Sequence, residues 1–335
     1  MNLYQTISEA ITAGKSVRVL TALANTGDFS VGEKSCIAEG VRTDANPAHA
    51  AAWDAQYALL AADSLAEDAF LAETLLPKPQ LILLGGGHVA HALATVCARL
   101  DFSITVVDDR AEFACQERFP MADCVLCMPF SEAFRTLSCG ENTYFAIMTR
   151  GHQSDAACLS LALQQPSAYV GMIGSKRKNA MIREKLASEG VSAAVIDRVH
   201  APIGKAIGAQ TPAEIAISIA AELIEVRHAH GSGCVLEPAV CAALCTSGAV
   251  ALTILSKHGS APRDTGTRMV VLPKGESVGT IGGGAAEFEA VQTARKMMES
   301  ATEKSQILTF SMSNTDAALR GMICGGEVTV LLEKL

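Results

Sequence analysis

The run Leu81-Ile82-Leu83-Leu84-Gly85-Gly86-Gly87-His88-Val89-Ala90 constrains this chain more than any other. Four apolar residues stop at three glycines, the pattern of a buried strand that ends in a tight turn. Beyond the turn, Val89, Ala92, Leu93, Val96, Cys97 and Leu100 recur at helical spacing, so a helix begins near His88. A second apolar strand, Ile104-Thr105-Val106-Val107, runs into Asp108-Asp109, about twenty residues past the glycines. Strand, turn, helix, strand and terminal acid together describe a parallel βαβ unit suited to a phosphate-bearing ligand. Gly85 permits the turn, Gly87 lets backbone approach a phosphate, and Ala90 lets the helix pack closely. The N–H groups around His88 and Val89 then face the anion, and Asp108 is expected to accept from a ribose 2′-OH.

The alternation continues to about residue 230, with strands expected near 80–84, 103–107, 123–127, 143–148 and 168–172 and helices between and after them. That is a Rossmann-like, doubly wound parallel sheet of the α/β class. Composition agrees, because 49% of residues are hydrophobic and only 4% aromatic, so the cores are built from Ala, Val, Leu and Ile. Loops after the later strands carry polar groups. In Gly174-Ser175-Lys176-Arg177, Ser175 can cap a helix while basic side chains sit in its first turn, where the helix dipole disfavours them. That cost points to an anion nearby.

A net charge of −8 argues against a nucleic-acid or anionic-membrane surface. No apolar run reaches membrane-spanning length and the N-terminus lacks signal-peptide blocks, so a cytoplasmic protein is expected. The eleven cysteines read as reduced thiols, with Cys124 and Cys127 enclosed in an apolar run.

Prolines 77 and 79 and the Gly231-Ser232-Gly233 stretch divide the chain into 1–76, 77–231 and 232–335. The last segment reads as a smaller α/β domain, with glycine clusters at Gly282-Gly283-Gly284 and before the closing strand. A faint repeat links Gly14-Lys15-Ser16-Val17-Arg18-Val19-Leu20 to Gly248-Ala249-Val250-Ala251-Leu252, although two apolar strands can look alike by coincidence. The first segment is therefore read as a degenerate copy, or a partner, of the last.

Several motifs in order resemble the xanthine dehydrogenase accessory factor family, the XdhC/CoxI-type maturation proteins of molybdenum hydroxylases. They are the glycine turn at 85–90, Tyr169 to Lys178, Arg198 to Gly204 and Ile207 to Ala216 for its Rossmann domain. Gly259-Ser260-Ala261-Pro262-Arg263, Gly279 to Gly284 and Met322-Ile323-Cys324-Gly325-Gly326 resemble its other domain, which here follows the Rossmann domain instead of preceding it. The resemblance implies a non-catalytic chaperone that binds molybdenum cofactor (molybdopterin), supports its sulfuration and hands it to an apo-enzyme such as xanthine dehydrogenase. It also implies a cysteine desulfurase as a further partner, and a homo-oligomer. Pro262, Arg263 and Gly282–Gly284 would hold the phosphate end, and Cys324, with space beside two glycines, would be the thiol that serves the metal.

Two other readings fit the glycine turn. An NAD-dependent oxidoreductase would need a proton-transfer residue beside the nicotinamide, for which His88, His152 and His200 are the candidates. A scaffold protein sensing NAD or another nucleotide would need a partner and no chemistry.

Overall fold

The computed structural model describes residues 3–229, 233–258, 265–300, 302–311 and 326–335. The chain divides into two compact units, one made of Met1–Pro77 with Gly233–Leu335 and the other of Lys78–Ser232. No described helix is long and apolar enough to cross a membrane.

The chain opens with helix α1 (Leu3–Thr12), whose buried stripe is Leu3, Tyr4, Ile7 and Ile11. Strands β1 (Val17–Ala22), β2 (Lys34–Ala38) and β3 (Val41–Asp44) follow, then a 3-10 turn at Pro47–His49, helix α2 (Ala50–Ala61) and strand β4 (Phe70–Leu76). β1 lies between antiparallel β2 and β4. Its side chains alternate, with Val17 and Val19 joining α1 on one face and Leu20 and Ala22 meeting Phe29, Trp53 and Phe70 on the other.

The second unit runs through β5 (Gln80–Leu84), α3 (His88–Ala98), β6 (Ser103–Asp108), β7 (Cys124–Cys127), α4 (Phe130–Thr136) and β8 (Thr143–Ile147). It continues with α5 (His152–Ala162), β9 (Tyr169–Met172), α6 (Lys176–Ser188), α7 (Ala193–Ile196), β10 (Val199–His200) and α8 (Pro212–Ala229). Every strand pairing is parallel, in the order β10-β9-β8-β5-β6-β7. Starting at β5, the chain adds β6 and β7 on one side, then crosses back to add β8, β9 and β10 on the other. This is the doubly wound Rossmann order, with its topological switch point between β5 and β8. Apolar clusters cover both faces. One holds Leu81, Leu83, Ile104 and Val106 against α3 and α8; the other holds Ile82, Leu84, Phe145 and Ile147 against α4, α5 and α6.

The chain then returns to the first unit as β11 (Gly233–Val235), α9 (Pro238–Ala243), β12 (Val250–His258), β13 (Arg268–Val271), β14 (Ser277–Gly279), α10 (Gly284–Glu299), β15 (Ser305–Ser311) and β16 (Glu327–Lys334). These strands form a sheet in the order β14-β13-β12-β16-β15, while β11 leaves to pair in parallel with β4. The N-terminal and C-terminal sheets share one core, in which Leu3, Ile7, Val17, Val19 and Leu75 meet Val240, Leu244, Ala251 and Val270. Two buried ion pairs, Lys34–Glu333 and Arg268–Glu73, join them as well.

Candidate functional site

Three loops leave the carboxyl ends of neighbouring strands at the switch point: 85–87 after β5, 149–151 after β8, and 173–175 after β9. In open parallel sheets that is where ligands bind.

The glycines of the first loop have different reasons to be glycine. Gly85 has φ +115°, and a Cβ there would lie 2.4 Å from the Met148 carbonyl oxygen. A Cβ on Gly86 would lie 2.0 Å from the Phe113 carbonyl oxygen. Gly87, the N-cap of α3, has φ −68°, and its Cβ would meet nothing within 4 Å. Neither strain nor a clash requires glycine at 87; glycine is favoured at a helix N-cap, and here it leaves the start of α3 uncovered by any side chain of its own. His88 is exposed and Val89 half-buried beside it.

Asp108 departs from expectation. It is 1% exposed, and its two oxygens accept from the Gly86 N–H (2.8 Å), the Arg110 N–H (3.1 Å), Arg110 Nε (2.8 Å) and Arg110 Nη2 (2.9 Å). Four donors saturate a carboxylate, so no lone pair remains for a ribose hydroxyl. Burial alone would raise this carboxyl, but the bonds from Arg110 and Gly86 outweigh it and hold it below the ordinary range. Asp108 therefore locks the glycine turn. The Arg110 guanidinium lies 3.7 Å over the Phe113 ring, and Arg118 Nε donates to the Gly86 carbonyl at 3.1 Å, so the segment after β6 is clamped onto the turn.

At the second loop, the buried Asp155 accepts from the Thr149 hydroxyl at 2.6 Å and the Thr149 N–H at 3.1 Å. At the third, Ser175 and Arg177 are exposed beside Gly174, and the side chain of Lys176 lies outside the described residues. Asn179, on the first turn of α6, is a residue that sequence reasoning misses. It is 2% exposed, its amide nitrogen donates to the Gly174 carbonyl at 3.2 Å, and its Oδ1 has no protein donor. A buried acceptor left open beside a candidate anion loop calls for a donor from a ligand or water. One asparagine in a basic helix start gives no sequence signal for this.

His200 ends β10 and bonds through Nδ1 to Glu222 of α8 at 3.1 Å. Glu222 also accepts from the Tyr169 hydroxyl at 2.5 Å and the Gly204 N–H at 2.8 Å. Burial pushes the Glu222 carboxyl up, but its bonds from His200 and Tyr169 prevail and keep it ionised. The network ties β9, β10 and α8 together.

In the other unit, Gly282, Gly283 and Gly284 all have left-handed φ values, +124°, +74° and +70°, at the start of α10. The sequence suggests a phosphate cradle at this turn. Its inner donors are engaged instead: Glu287 Oε2 accepts from the Ile281 and Gly283 N–H groups, both at 3.0 Å, and from the Thr280 hydroxyl at 2.5 Å. The Gly282 N–H goes to Thr280 Oγ1 at 3.1 Å. An ionised Glu287 also repels an anion. Pro262, Arg263 and Cys324 lie outside the described residues. The ten described cysteines are all free, and Cys127 is exposed on edge strand β7 instead of enclosed. No cluster with metal-ligand composition occurs among the described residues.

A parallel sheet wound in this order, with a glycine turn at its switch point, defines a Rossmann-type α/β protein. Residues 81–223 match the family model described as the XdhC Rossmann domain, and residues 246–311 match that of the XdhC and CoxI family. The chain belongs to the XdhC/CoxI family. Among curated relatives, the protein YqeB of Escherichia coli is 36% identical over 162 residues, 48% of this chain and 30% of the relative. A probable xanthine dehydrogenase component of Bacillus subtilis is 31% identical over 156 residues, 45% of this chain and 44% of the relative. The crystal structure of a xanthine dehydrogenase from Bacillus halodurans is similar with a TM-score of 0.54 and 26% identity, over 66% of this chain and 65% of that one. The chain spans less than half the length of the curated relatives it matches.

Proposed function

We propose that this protein is an accessory factor for a molybdenum hydroxylase of the xanthine dehydrogenase type, and that the switch-point crevice of its Rossmann domain holds molybdenum cofactor for sulfuration and insertion into the apo-enzyme. The observation that carries the reading is Gly87, the N-cap of α3 beside the switch point, where open space leaves the helix start accessible to an anion. Two further features of the chain fit the group. The N–H groups at the start of α3 suit its phosphate, and Asn179 Oδ1 offers an acceptor to the N–H and amino groups of a pterin. When bound, the group would supply the molybdenum centre and its exchangeable sulfur ligand. The protein's own part is to hold the phosphate at Gly87, to orient the ring at Asn179, and to keep the turn rigid through Asp108 and Arg110. The relatives named for xanthine dehydrogenase support a hydroxylase of this type as the client; a cysteine desulfurase as the sulfur source is part of the proposal.

A dinucleotide at the same turn is the second reading, supported by the strand order. The saturated Asp108 takes away its ribose partner, which favours the pterin. The test is to purify the chain from cells that make molybdenum cofactor and identify the bound small molecule by mass spectrometry. A pterin that is lost in Gly87→Val supports the proposal. NAD(P) in its place, or a pterin retained by Gly87→Val, overturns it.

A further inference from the structure

The two sheets of the first unit are built alike, and the correspondence extends to single residues. In the N-terminal part, a helix leads through a left-handed glycine into the central strand: α1, Gly14 at φ +77°, β1. The C-terminal part repeats this with α9, Gly248 at φ +78° and β12. A hairpin then pairs with the central strand, β2–β3 in one part and β13–β14 in the other, a helix follows, α2 or α10, and a closing antiparallel strand, β4 or β16, completes the other side. Register fixes the equivalences. Thr21 lies opposite Lys34 as Thr253 lies opposite Arg268, Val19 opposite Glu73 as Ala251 opposite Glu333, and Val19 opposite Cys36 as Ala251 opposite Val270. Even the buried hydroxyls of Thr21 and Thr253 share the property of having no protein partner.

The contacts between the parts are reciprocal under those equivalences. Lys34 pairs with Glu333, and its counterpart Arg268 pairs with Glu73, the counterpart of Glu333. Gly32 (φ +85°) packs on Ser305 of the strand beside β16; its counterpart Gly266 (φ +86°) packs on Cys234 of the strand beside β4. Residue i touching j′ while i′ touches j is the signature of a two-fold, self-complementary interface, ordinarily found between two identical chains.

We infer that residues 3–76 are a second copy of the domain formed by residues 238–335, and that the copies are joined as the halves of an internal dimer in which only the C-terminal copy keeps the glycine turn. Where that copy enters α10 through Gly282-Gly283-Gly284, the N-terminal copy enters α2 through Asn46 and Pro47, with Asn46 capping the Ala48 N–H. The N-terminal copy keeps the interface residues and lacks the turn. It serves as the fixed partner of its twin, and the kind of molecule this face recognises is another copy of the same domain. The inference stands whatever the Rossmann crevice binds.

Charge reversal in the full chain tests it. Lys34→Glu with Glu73→Arg turns both cross-copy pairs into like-charge contacts and should lower the melting temperature by roughly 10 °C. Arg268→Glu with Glu333→Arg should do the same. Combining all four substitutions restores opposite charges at both sites and should recover most of the loss. Hydrogen exchange on the unaltered chain should show β1 and β12 opening together. A quadruple variant no more stable than the doubles, or failing to fold, overturns the inference, as does exchange in β1 while β12 stays protected.

Discussion

At the residue scale the three glycines of the first turn make opposite predictions. Gly86→Ala forces a Cβ into the Phe113 carbonyl and should cost about 3 kcal/mol, read from the urea midpoint. Gly87→Val places its Cβ in open space and should cost only about 1 kcal/mol, the loss of a favourable N-cap residue, while ligand binding by calorimetry falls at least tenfold. Asp108 gives a pH signature. Its carboxyl is held low in the folded state, so its stabilisation is present above the unfolded value near 4 and is lost as pH falls through the folded value. Asp108→Asn should cost about 2 kcal/mol at pH 7, and the variant and parent should converge in acid. A constant gap between them down to about pH 2 would mean that the charge of Asp108 contributes nothing.

At the element scale, α2 and α10 cover equivalent sheet faces with different anchors. α2 depends on Trp53, fully buried against Phe29 at 4.3 Å between ring centres and Phe70 at 6.1 Å. Trp53→Ala should cost about 4 kcal/mol in thermal unfolding, and a loss under about 1 kcal/mol would show that α2 is not held there. Because Trp53 is the only tryptophan, its fluorescence reports on this sheet alone. α10 is anchored at its start by Glu287, whose carboxylate ties down the glycine turn. Glu287→Ala should speed exchange of the Gly283 amide about tenfold, measurable by NMR, with little change in global stability. Burial pushes the Glu287 carboxyl up, yet its bonds from Thr280, Gly283 and Ile281 hold it low, so the turn should loosen only in acid.

At the scale of the whole molecule, removing residues 1–76 should unfold 233–335, since a large part of its inner core and one side of both buried ion pairs come from the removed part. Calorimetry should then keep one transition, that of the Rossmann unit; two retained transitions would contradict the shared core. The sequence by itself determined that Rossmann unit nearly in full: five of its strands, the glycine turn and the start of its first helix lie within a residue or two of where periodicity puts them, and the remaining helices fall between and after the strands as expected. Parallel strands buried on both faces are uninterrupted apolar runs, and their turns must be glycine, so local pattern and tertiary structure carry the same information. Tertiary structure decided the rest. β2, β3 and β15 mix polar with apolar residues and give no clear local signature, β4 is held by β1 and β11 far away in the chain, and β11 is three residues that become a strand only beside β4. The same reason governs the site. Nothing near Asp108 in the chain says whether its four hydrogen-bond positions are open, and only the folded position of Arg110 and Gly86 closes them. Likewise Asn179 acquires an open acceptor, and Lys34 and Arg268 become equivalent, through burial and register, which are properties of the folded chain and of no single stretch of it.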